Sequence, residues 1–445
     1  MGPQNKIGKI SRFMHNNIDI FLWYSHGMAE KFSLAQSIQP KMYSAAVTDT
    51  VTTLAPTSIQ TTTLAEALLR DAEKQDMSTP SSWDYIFGEL SFLIIRAYVY
   101  GIRYWIYYVA VPFAHYYNMT HLASDGKVSN EGVSIKRNVV YGDIPGESMD
   151  VLSPSAPDDF ILYVHGGGFV SVHRAVVNHS ITPFVRAGFT VFSMDYPLAP
   201  NFKFPVPIVS VIKCLGYIKA NFRVSRVKIV ADSAGGCLAS MAVGAIANPT
   251  RNWDPDILSA LQSTDLPEVD RMVLLYTICD ESSWDEPVHQ FLSDRVQSRI
   301  MRFCLAQYRA SPDIKVCISE NIDKLDTYPA TLLMCGHRDP LQHSHKIFHE
   351  ALESIGVESR NIVVDGFHGF HGLPPPFSFG LWRTTVFPAN CMLIPWLRNG
   401  CLKRVPTLPP VSWREYDVHL LVVLLFVHVA LLYFAFTWII NLHTL

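Results

Sequence analysis

Two stretches decide the fold: ILYVHGGGFV at Ile161–Val170 and, further along the chain, VKIVADSAGG at Val227–Gly236. Each begins as an apolar, β-like run and ends in small residues, which is how a strand enters a tight turn. The first turn can present backbone N–H groups to a negatively charged oxygen, and the second places Ser233 on a sharp strand-to-helix turn. In this order the two stretches predict an acyl-transfer site of the serine-hydrolase type.

The segment around Ser233 predicts the nucleophile. A strand-to-helix turn of this kind is too tight for large side chains two positions before and after the serine, where Ala231 and Gly235 stand. Ala231 replaces the usual glycine, a difference of one methyl group. The predicted oxyanion donors are the backbone N–H groups of Gly167, Gly168 and Ala234. We expect His165 and Gly166 to order the glycine loop rather than to act as a base.

The base and the acid are expected later in the chain, in the order Ser, Asp or Glu, His. His368 follows the last predicted strand and is the predicted base. Asp339, which follows the apolar run Ala330–Cys335, is the predicted acid because a carboxylate must hold the imidazole in the correct tautomer. The alternatives are His371 for the base and Asp280 or Glu281 for the acid. Asp232 is excluded because its side chain should leave the turn in another direction.

Short apolar runs separated by helix-length segments begin after Gly132. The predicted strands are Val133–Tyr141, Met149–Val151, Phe160–Val164, Thr190–Asp195, Val227–Ala231, Arg271–Ile278, Ala330–Cys335 and Asn361–Val364. The first two read as a hairpin with its turn at IPGE. The alternation that follows predicts parallel strands with helices on both faces. In such sheets functional residues gather at the carboxyl ends of the strands, where the motifs above fall.

Five motifs in a fixed order, HGGGF, DYPLAPNFKFP, ADSAGG, GHRDPL and FHGF, resemble the hormone-sensitive-lipase-like group of α/β-hydrolases. That group includes arylacetamide deacetylases and fungal sterol deacetylases. The resemblance covers Val133–Trp396 and implies an α/β-hydrolase fold with a mostly parallel eight-stranded sheet, a cap built partly from N-terminal helices, and carboxylester hydrolysis. The positions that match the group's triad are Ser233, Asp339 and His368. The chain departs from the group at Ala231 for glycine, Pro197 for arginine and Asn201 for glutamate. The last two weaken the inference of a structural ion pair and leave the triad intact.

Composition and length indicate attachments to the catalytic domain. Of 445 residues, 49% are apolar and only 17% are charged, which suggests membrane contact. Leu420–Ile440 contains no Asp, Glu, Lys or Arg and, at about 1.5 Å per residue, spans roughly 30 Å, the thickness of a bilayer core. Tyr85–Tyr117 is also apolar, but Glu89, Arg96 and Arg103 fall on one helical stripe. This pattern favours an interfacial or cap helix, with a spanning helix and a core helix as alternatives.

The predicted organisation has five parts. They are a variable region with a Thr-rich linker at 1–80, an amphipathic membrane-interface or cap helix at 81–125, the catalytic domain at 126–399, a linker at 400–418 and a transmembrane helix at 419–441. Lys and Arg precede the last helix, at Arg398, Lys403, Arg404 and Arg414, and none follows it. The positive-inside rule then places the catalytic domain in the cytosol, with a lumenal orientation as the alternative. By resemblance, the membrane is that of the endoplasmic reticulum or a lipid droplet.

No cofactor, metal or nucleic-acid partner is expected. The formal net charge of −3 gives no electrostatic footprint for nucleic acid. The eight cysteines include no CxxC pair, which argues against a zinc site. His343, His345 and His349 lack a matching carboxylate or cysteine pattern, so we expect a solvated helix face there.

The sequence therefore predicts a membrane-anchored serine carboxylesterase or lipase-like hydrolase, of the deacetylase type, that acts on lipophilic acyl esters. The alternative is a non-catalytic ligand-binding protein on the same scaffold, because fold alone does not imply activity. The plant gibberellin receptors, which resemble this group, lack the catalytic histidine, whereas this chain carries a histidine at 368.

Overall fold

The computed structural model describes residues 133–281, 292–372 and 386–402, together with Gly101, Arg103, Ile106 and Val111. The predictions for residues 1–80, for most of 81–125 and for the transmembrane helix at 419–441 lie outside the described residues. None of the described helices has the length and hydropathy that a membrane span requires.

The strands of the described residues form a single eight-stranded sheet. They are β1 (Val133–Val140), β2 (Ser148–Pro154), β3 (Asp159–Val164), β4 (Phe189–Met194), β5 (Arg226–Asp232), β6 (Glu268–Leu275), β7 (Ala330–Arg338) and β8 (Ser359–Phe367). Their spatial order is β1-β2-β4-β3-β5-β6-β7-β8. The pairs β1–β2 and β2–β4 are antiparallel, and every other neighbouring pair is parallel. The predicted α/β-hydrolase fold with a mostly parallel eight-stranded sheet is confirmed.

Helices cover both faces of this sheet. The described α-helices are α1 (Arg174–Arg186), α2 (Val206–Phe222), α3 (Ser233–Ala247), α4 (Pro255–Ser263), α5 (Leu292–Tyr308), α6 (Gln342–Ser354) and α7 (Phe387–Asn399). Successive strand side chains point to opposite faces. In β3, Leu162 and Val164 therefore join the core beneath α2 to α6, whereas Ile161 and Tyr163 join the core beneath α1 and α7.

One strand ends earlier than its sequence predicts. The apolar run Arg271–Ile278 predicts a strand that continues to Ile278, but β6 ends at Leu275. Tyr276 adopts a φ of 37°, in the left-handed region that side chains other than glycine rarely enter. Its N–H donates to the carbonyl of Met334 at 2.7 Å. The chain therefore turns at the carboxyl edge of the sheet rather than extending past it.

The carboxyl edge of the parallel strands collects the predicted site residues. His165 directly follows β3, Ser233 follows β5, and His368 follows β8. Asp339 follows β7. Four segments that are far apart in sequence therefore meet at one edge, as the topology of a parallel sheet requires.

Candidate active site

Ser233 occupies a sharp turn between β5 and α3. Its φ of 48° is left-handed, and 8% of the residue is exposed. Ala231 is fully buried and the turn forms around it, so the extra methyl group is accommodated. A Cβ atom on Gly235 would lie 2.2 Å from the carbonyl oxygen of His165. The absence of a side chain at this position therefore lets α3 pack directly on the glycine loop.

Ser233, His368 and Asp339 form a continuous hydrogen-bonded line. The Oγ of Ser233 lies 3.0 Å from Nε2 of His368. The Nδ1 of His368 lies 3.1 Å and 3.2 Å from the two carboxylate oxygens of Asp339. The Asp339 side chain is fully buried, and its Oδ1 accepts the N–H of Leu341 at 2.9 Å. This arrangement allows the imidazole to take a proton from the hydroxyl while the carboxylate fixes its tautomer.

The alternative residues lie elsewhere. His371 is buried, and its Nε2 contacts Oδ1 of Asn390 at 3.0 Å. Glu281 forms an ion pair with Arg309. Asp280 is buried on the turn after β6. Among the described residues, Asp339 supplies the carboxylate hydrogen-bonded to the imidazole that contacts Ser233.

The carboxylate of Asp232 ties the serine turn to the glycine loop. Its Oδ1 accepts the hydroxyl of Tyr163 at 2.9 Å and the N–H of Gly166 at 3.0 Å. Burial raises the pKa of this carboxyl group, and the two hydrogen bonds oppose the rise. Asp232 therefore acts on the geometry of the loop, a connection that the sequence motifs did not reveal.

The glycine loop depends on backbone conformations that favour glycine. Gly167 has a φ of 111° and Gly168 a φ of 61°. Within the part of the chain that the structure describes, neither donates its N–H to a backbone carbonyl. Ala234 lies in the first turn of α3, where helical N–H groups lack an intrahelical acceptor. All three predicted donors are therefore at positions where an N–H can serve an incoming oxygen.

Replacing Gly167 with alanine is expected to lower kcat by about 10²- to 10³-fold, the usual effect of losing one oxyanion donor. The new Cβ would lie 2.3 Å from the carbonyl oxygen of Ser171, so the loop backbone must move. Gly356→Ala is the matched control, because its φ of 76° is also left-handed but no atom lies within 4 Å of the added Cβ. Steady-state ester hydrolysis by both variants measures the two values of kcat. Equal losses of kcat in Gly167→Ala and Gly356→Ala would refute the steric argument.

A buried ion network holds the glycine loop from behind. The Nε2 of His165 lies 3.0 Å from Oδ1 of Asp195, and His173 and Arg174 contact the same carboxylate. The Nε of Arg174 also lies 2.8 Å from Oδ1 of Asp150. Burial opposes the charged form of Asp195, but His173 and Arg174 hold its pKa well below its usual range. The network therefore keeps the carboxylate ionised behind His165.

The arginine of this network was not singled out by the sequence motifs. Pro197 and Asn201 stand where the resembling group has arginine and glutamate, and neither can carry a charge. Arg174 is 2% exposed and reaches Asp195 from the start of α1. Its neighbour His173 caps that helix by accepting the N–H of Ala175 at 3.1 Å. In this chain Arg174, at the junction between the loop and α1, forms the buried ion pair with Asp195.

One described residue of the predicted 81–125 helix contacts the same region. The Nη1 of Arg103 lies 3.4 Å from the carbonyl oxygen of Ala199. The N–H of Ala199 in turn donates to the carbonyl of Phe169, directly after the glycines, at 2.9 Å. Arg103 therefore contacts Ala199, which is hydrogen-bonded to the end of the glycine loop.

The prediction of a solvated histidine face on α6 is wrong for His345. This side chain is fully buried, and its Nε2 accepts the N–H of Thr277 at 2.6 Å. Its side of the helix faces the turn that follows β6, a contact that the local sequence cannot indicate. His349 is partly exposed and contacts Ser359. No cluster of three potential metal ligands occurs among the residues of the described ranges.

The free energy of unfolding is expected to fall as the pH drops from about 6.5 to 4. Burial lowers the pKa of His371 from 6.5 to about 4 in the folded protein. Between these values the unfolded chain binds a proton that the folded chain does not, so stability is lost on acidification. The contribution is about 1.4 kcal/mol per pH unit. Denaturant unfolding of wild type and His371→Gln across this range should show a shallower slope in the variant; parallel slopes would contradict the assignment.

Parts of this chain are similar to known hydrolases. A sequence family described as having the alpha/beta hydrolase fold matches residues 161–372. The esterase LipC of Mycobacterium tuberculosis is 30% identical over 32% of this chain and 36% of its own length. Lipase 2 of a Moraxella species is 24% identical over 53% of this chain and 60% of its own length.

A solved structure, carboxyl esterase 2 of the mycorrhizal fungus Tuber melanosporum, is 22% identical. It aligns with a TM-score of 0.48 over 65% of this chain and 99% of its own length. This chain spans 36% and 60% of the lengths of the two curated relatives, which is less than two thirds in both cases. The sequence-family match over residues 161–372, together with the motifs that lie within it, supports the resemblance to the hormone-sensitive-lipase-like group of α/β-hydrolases.

Proposed function

We propose that this chain is a serine carboxylesterase that acts on lipophilic acyl esters. The observation that carries the proposal is the line of contacts from Ser233 Oγ through His368 to Asp339, at the carboxyl edge of an α/β-hydrolase sheet. The esterase and lipase names of the curated relatives agree with it.

The proposed reaction has two halves. The Oγ of Ser233 attacks the ester carbonyl while Nε2 of His368 takes the hydroxyl proton and passes it to the departing alcohol. Asp339 stabilises the imidazolium that forms. Water then attacks the acyl-enzyme, again with His368 as base, and releases the carboxylic acid. The predicted donors for the oxyanion in both halves are the N–H groups of Gly167, Gly168 and Ala234.

Membrane anchoring and a helical cap complete the proposal. The uncharged stretch Leu420–Ile440 supports a C-terminal anchor after the linker at 400–418. The contact between Arg103 and Ala199 supports a cap formed by residues 81–125 over the catalytic domain at 126–399. A deacetylase specificity and a location at the endoplasmic reticulum or a lipid droplet rest on the resemblance alone.

The anchor predicts that the full chain stays in the membrane pellet when membranes are extracted with alkaline carbonate. Release of the chain into the supernatant would contradict the anchor.

Hydrolysis of p-nitrophenyl esters with acyl chains from acetate to palmitate tests the proposed activity in detergent-solubilised, full-length protein. The proposal predicts ester cleavage by the wild type. An optimum at acetate would support a deacetylase, and an optimum at long chains would support a lipase. Folded protein that cleaves none of these esters would contradict the proposal and favour a non-catalytic, ligand-binding role.

A further inference from the structure

The turn that follows β6 contacts segments that carry all three members of the triad. Tyr276 begins this turn in a left-handed conformation, with a φ of 37°, that its surroundings must stabilise. Its ring packs edge-on against the imidazole of His368, with 5.2 Å between ring centroids and 69° between ring planes. The orientation of the predicted base therefore depends directly on where the Tyr276 ring lies.

Thr277, the next residue, joins the turn to the other two segments. A Cβ atom on Gly236, which follows Ser233 on α3, would lie 2.0 Å from Oγ1 of Thr277, so the two segments are in tight contact. The N–H of Thr277 donates to Nε2 of His345 at 2.6 Å. His345 lies in the first half of α6, the helix that begins shortly after Asp339.

His345 is suited to hold this turn without adding charge next to Asp339. Burial lowers its pKa to about 4, so the imidazole is neutral at pH 7 and its Nε2 can accept a hydrogen bond. A carboxylate at this position would place a second negative charge near Asp339. The neighbouring Ser344 extends the attachment, because its Oγ accepts the N–H groups of Cys279 at 3.0 Å and Asp280 at 2.8 Å.

We propose that His345 is a positioning residue for the triad. By accepting the N–H of Thr277 it fixes the turn that carries Tyr276, and Tyr276 in turn fixes the imidazole of His368 between Ser233 and Asp339. This inference rests on the proposed function, because the consequence of the positioning is the rate of ester hydrolysis.

The test compares His345→Leu and His345→Gln in the full-length, detergent-solubilised protein with a p-nitrophenyl ester as substrate. Leucine has a similar volume but no acceptor, whereas the glutamine side-chain oxygen can accept the Thr277 N–H. We expect His345→Leu to lower kcat about tenfold with KM nearly unchanged, because small displacements of catalytic groups are costly. His345→Gln is expected to recover most of the loss. Titration with a fluorophosphonate gives the concentration of active sites. Dividing the maximal rate by this concentration yields a kcat to which misfolded protein does not contribute.

His349→Leu is the matched control on the same helix. Its Nδ1 contacts Oγ of Ser359 at 2.6 Å, away from the triad, so its loss should lower stability but leave kcat unchanged. A kcat for His345→Leu equal to that of wild type would overturn the positioning role. A loss that His349→Leu reproduces, or that glutamine fails to repair, would overturn it as well. A wild type without esterase activity would instead overturn the proposed function itself.

A double-mutant cycle with Tyr276→Leu keeps the proposal testable if His345→Leu folds poorly. Because His345 acts through Tyr276, the variant that combines His345→Ala, which removes the acceptor, with Tyr276→Leu should lose no more activity than Tyr276→Leu alone. For the same reason, Tyr276→Leu alone should lower kcat about tenfold by freeing the His368 ring. Independent, multiplying losses in the cycle, or an unchanged kcat for Tyr276→Leu, would contradict the coupling.

Discussion

Replacing Ser233 with alanine is expected to lower kcat by about 10⁵- to 10⁶-fold, the scale seen when a triad serine is removed. The variant keeps the glycine loop but lacks the oxygen that attacks the carbonyl. The residual rate should reflect only transition-state stabilisation by the loop and substrate binding. Steady-state hydrolysis of p-nitrophenyl butyrate measures the loss.

The control for this prediction is Ser240→Ala on the same helix. Ser240 is buried and its Oγ donates to the carbonyl of Cys237, so the variant removes a hydroxyl from α3 without touching the site. It should retain activity within about twofold, since only one local hydrogen bond is lost. If Ser233→Ala kept more than about one hundredth of the wild-type rate, a covalent serine mechanism would be excluded.

Replacing Asp339 with asparagine is expected to lower kcat by about 10⁴-fold, as it does when the acid of a serine triad loses its charge. The two carboxylate oxygens of Asp339 lie 3.1 Å and 3.2 Å from Nδ1 of His368. Asparagine can turn an N–H toward this nitrogen and so select the tautomer in which Nε2 cannot accept the serine proton. Burst kinetics with the same ester separate the acylation step from deacylation.

Asp280→Asn provides the comparison, because Asp280 is the alternative acid one strand earlier and is also buried. We expect it to cost less than about tenfold in kcat, since it is not part of the hydrogen-bonded line to Ser233. A larger loss in Asp280→Asn than in Asp339→Asn would transfer the role of acid to Asp280.

The features that sequence could predict are those encoded locally. A short apolar run indicates a strand, and each of the eight predicted runs corresponds to a strand of the sheet. Small residues immediately after β5 indicate the serine turn, and small residues immediately after β3 indicate the glycine loop. Because parallel strands end at one edge, these local signals sufficed to predict that Ser233, Asp339 and His368 lie close together.

The features that sequence could not predict depend on contacts between distant segments. The run Arg271–Ile278 is mostly apolar and contains neither glycine nor proline, so nothing in it marks the left-handed Tyr276 that directly follows β6. The polar setting of His345 in QHSHK predicts exposure, but this side chain accepts the N–H of Thr277, which lies on the turn that follows β6. Arg174 likewise lacks a motif, because its carboxylate partner Asp195 follows the neighbouring strand β4.

Labelling of the full-length protein with a fluorophosphonate, followed by peptide mass spectrometry, tests whether Ser233 is an activated nucleophile. The reagent phosphonylates a hydroxyl only where a nearby base and an oxyanion site activate it. We expect one adduct per chain, on Ser233, and its loss when His368 is replaced with alanine. An adduct on a different serine, or an unmodified Ser233 in folded protein, would contradict the claim that this serine is an activated nucleophile.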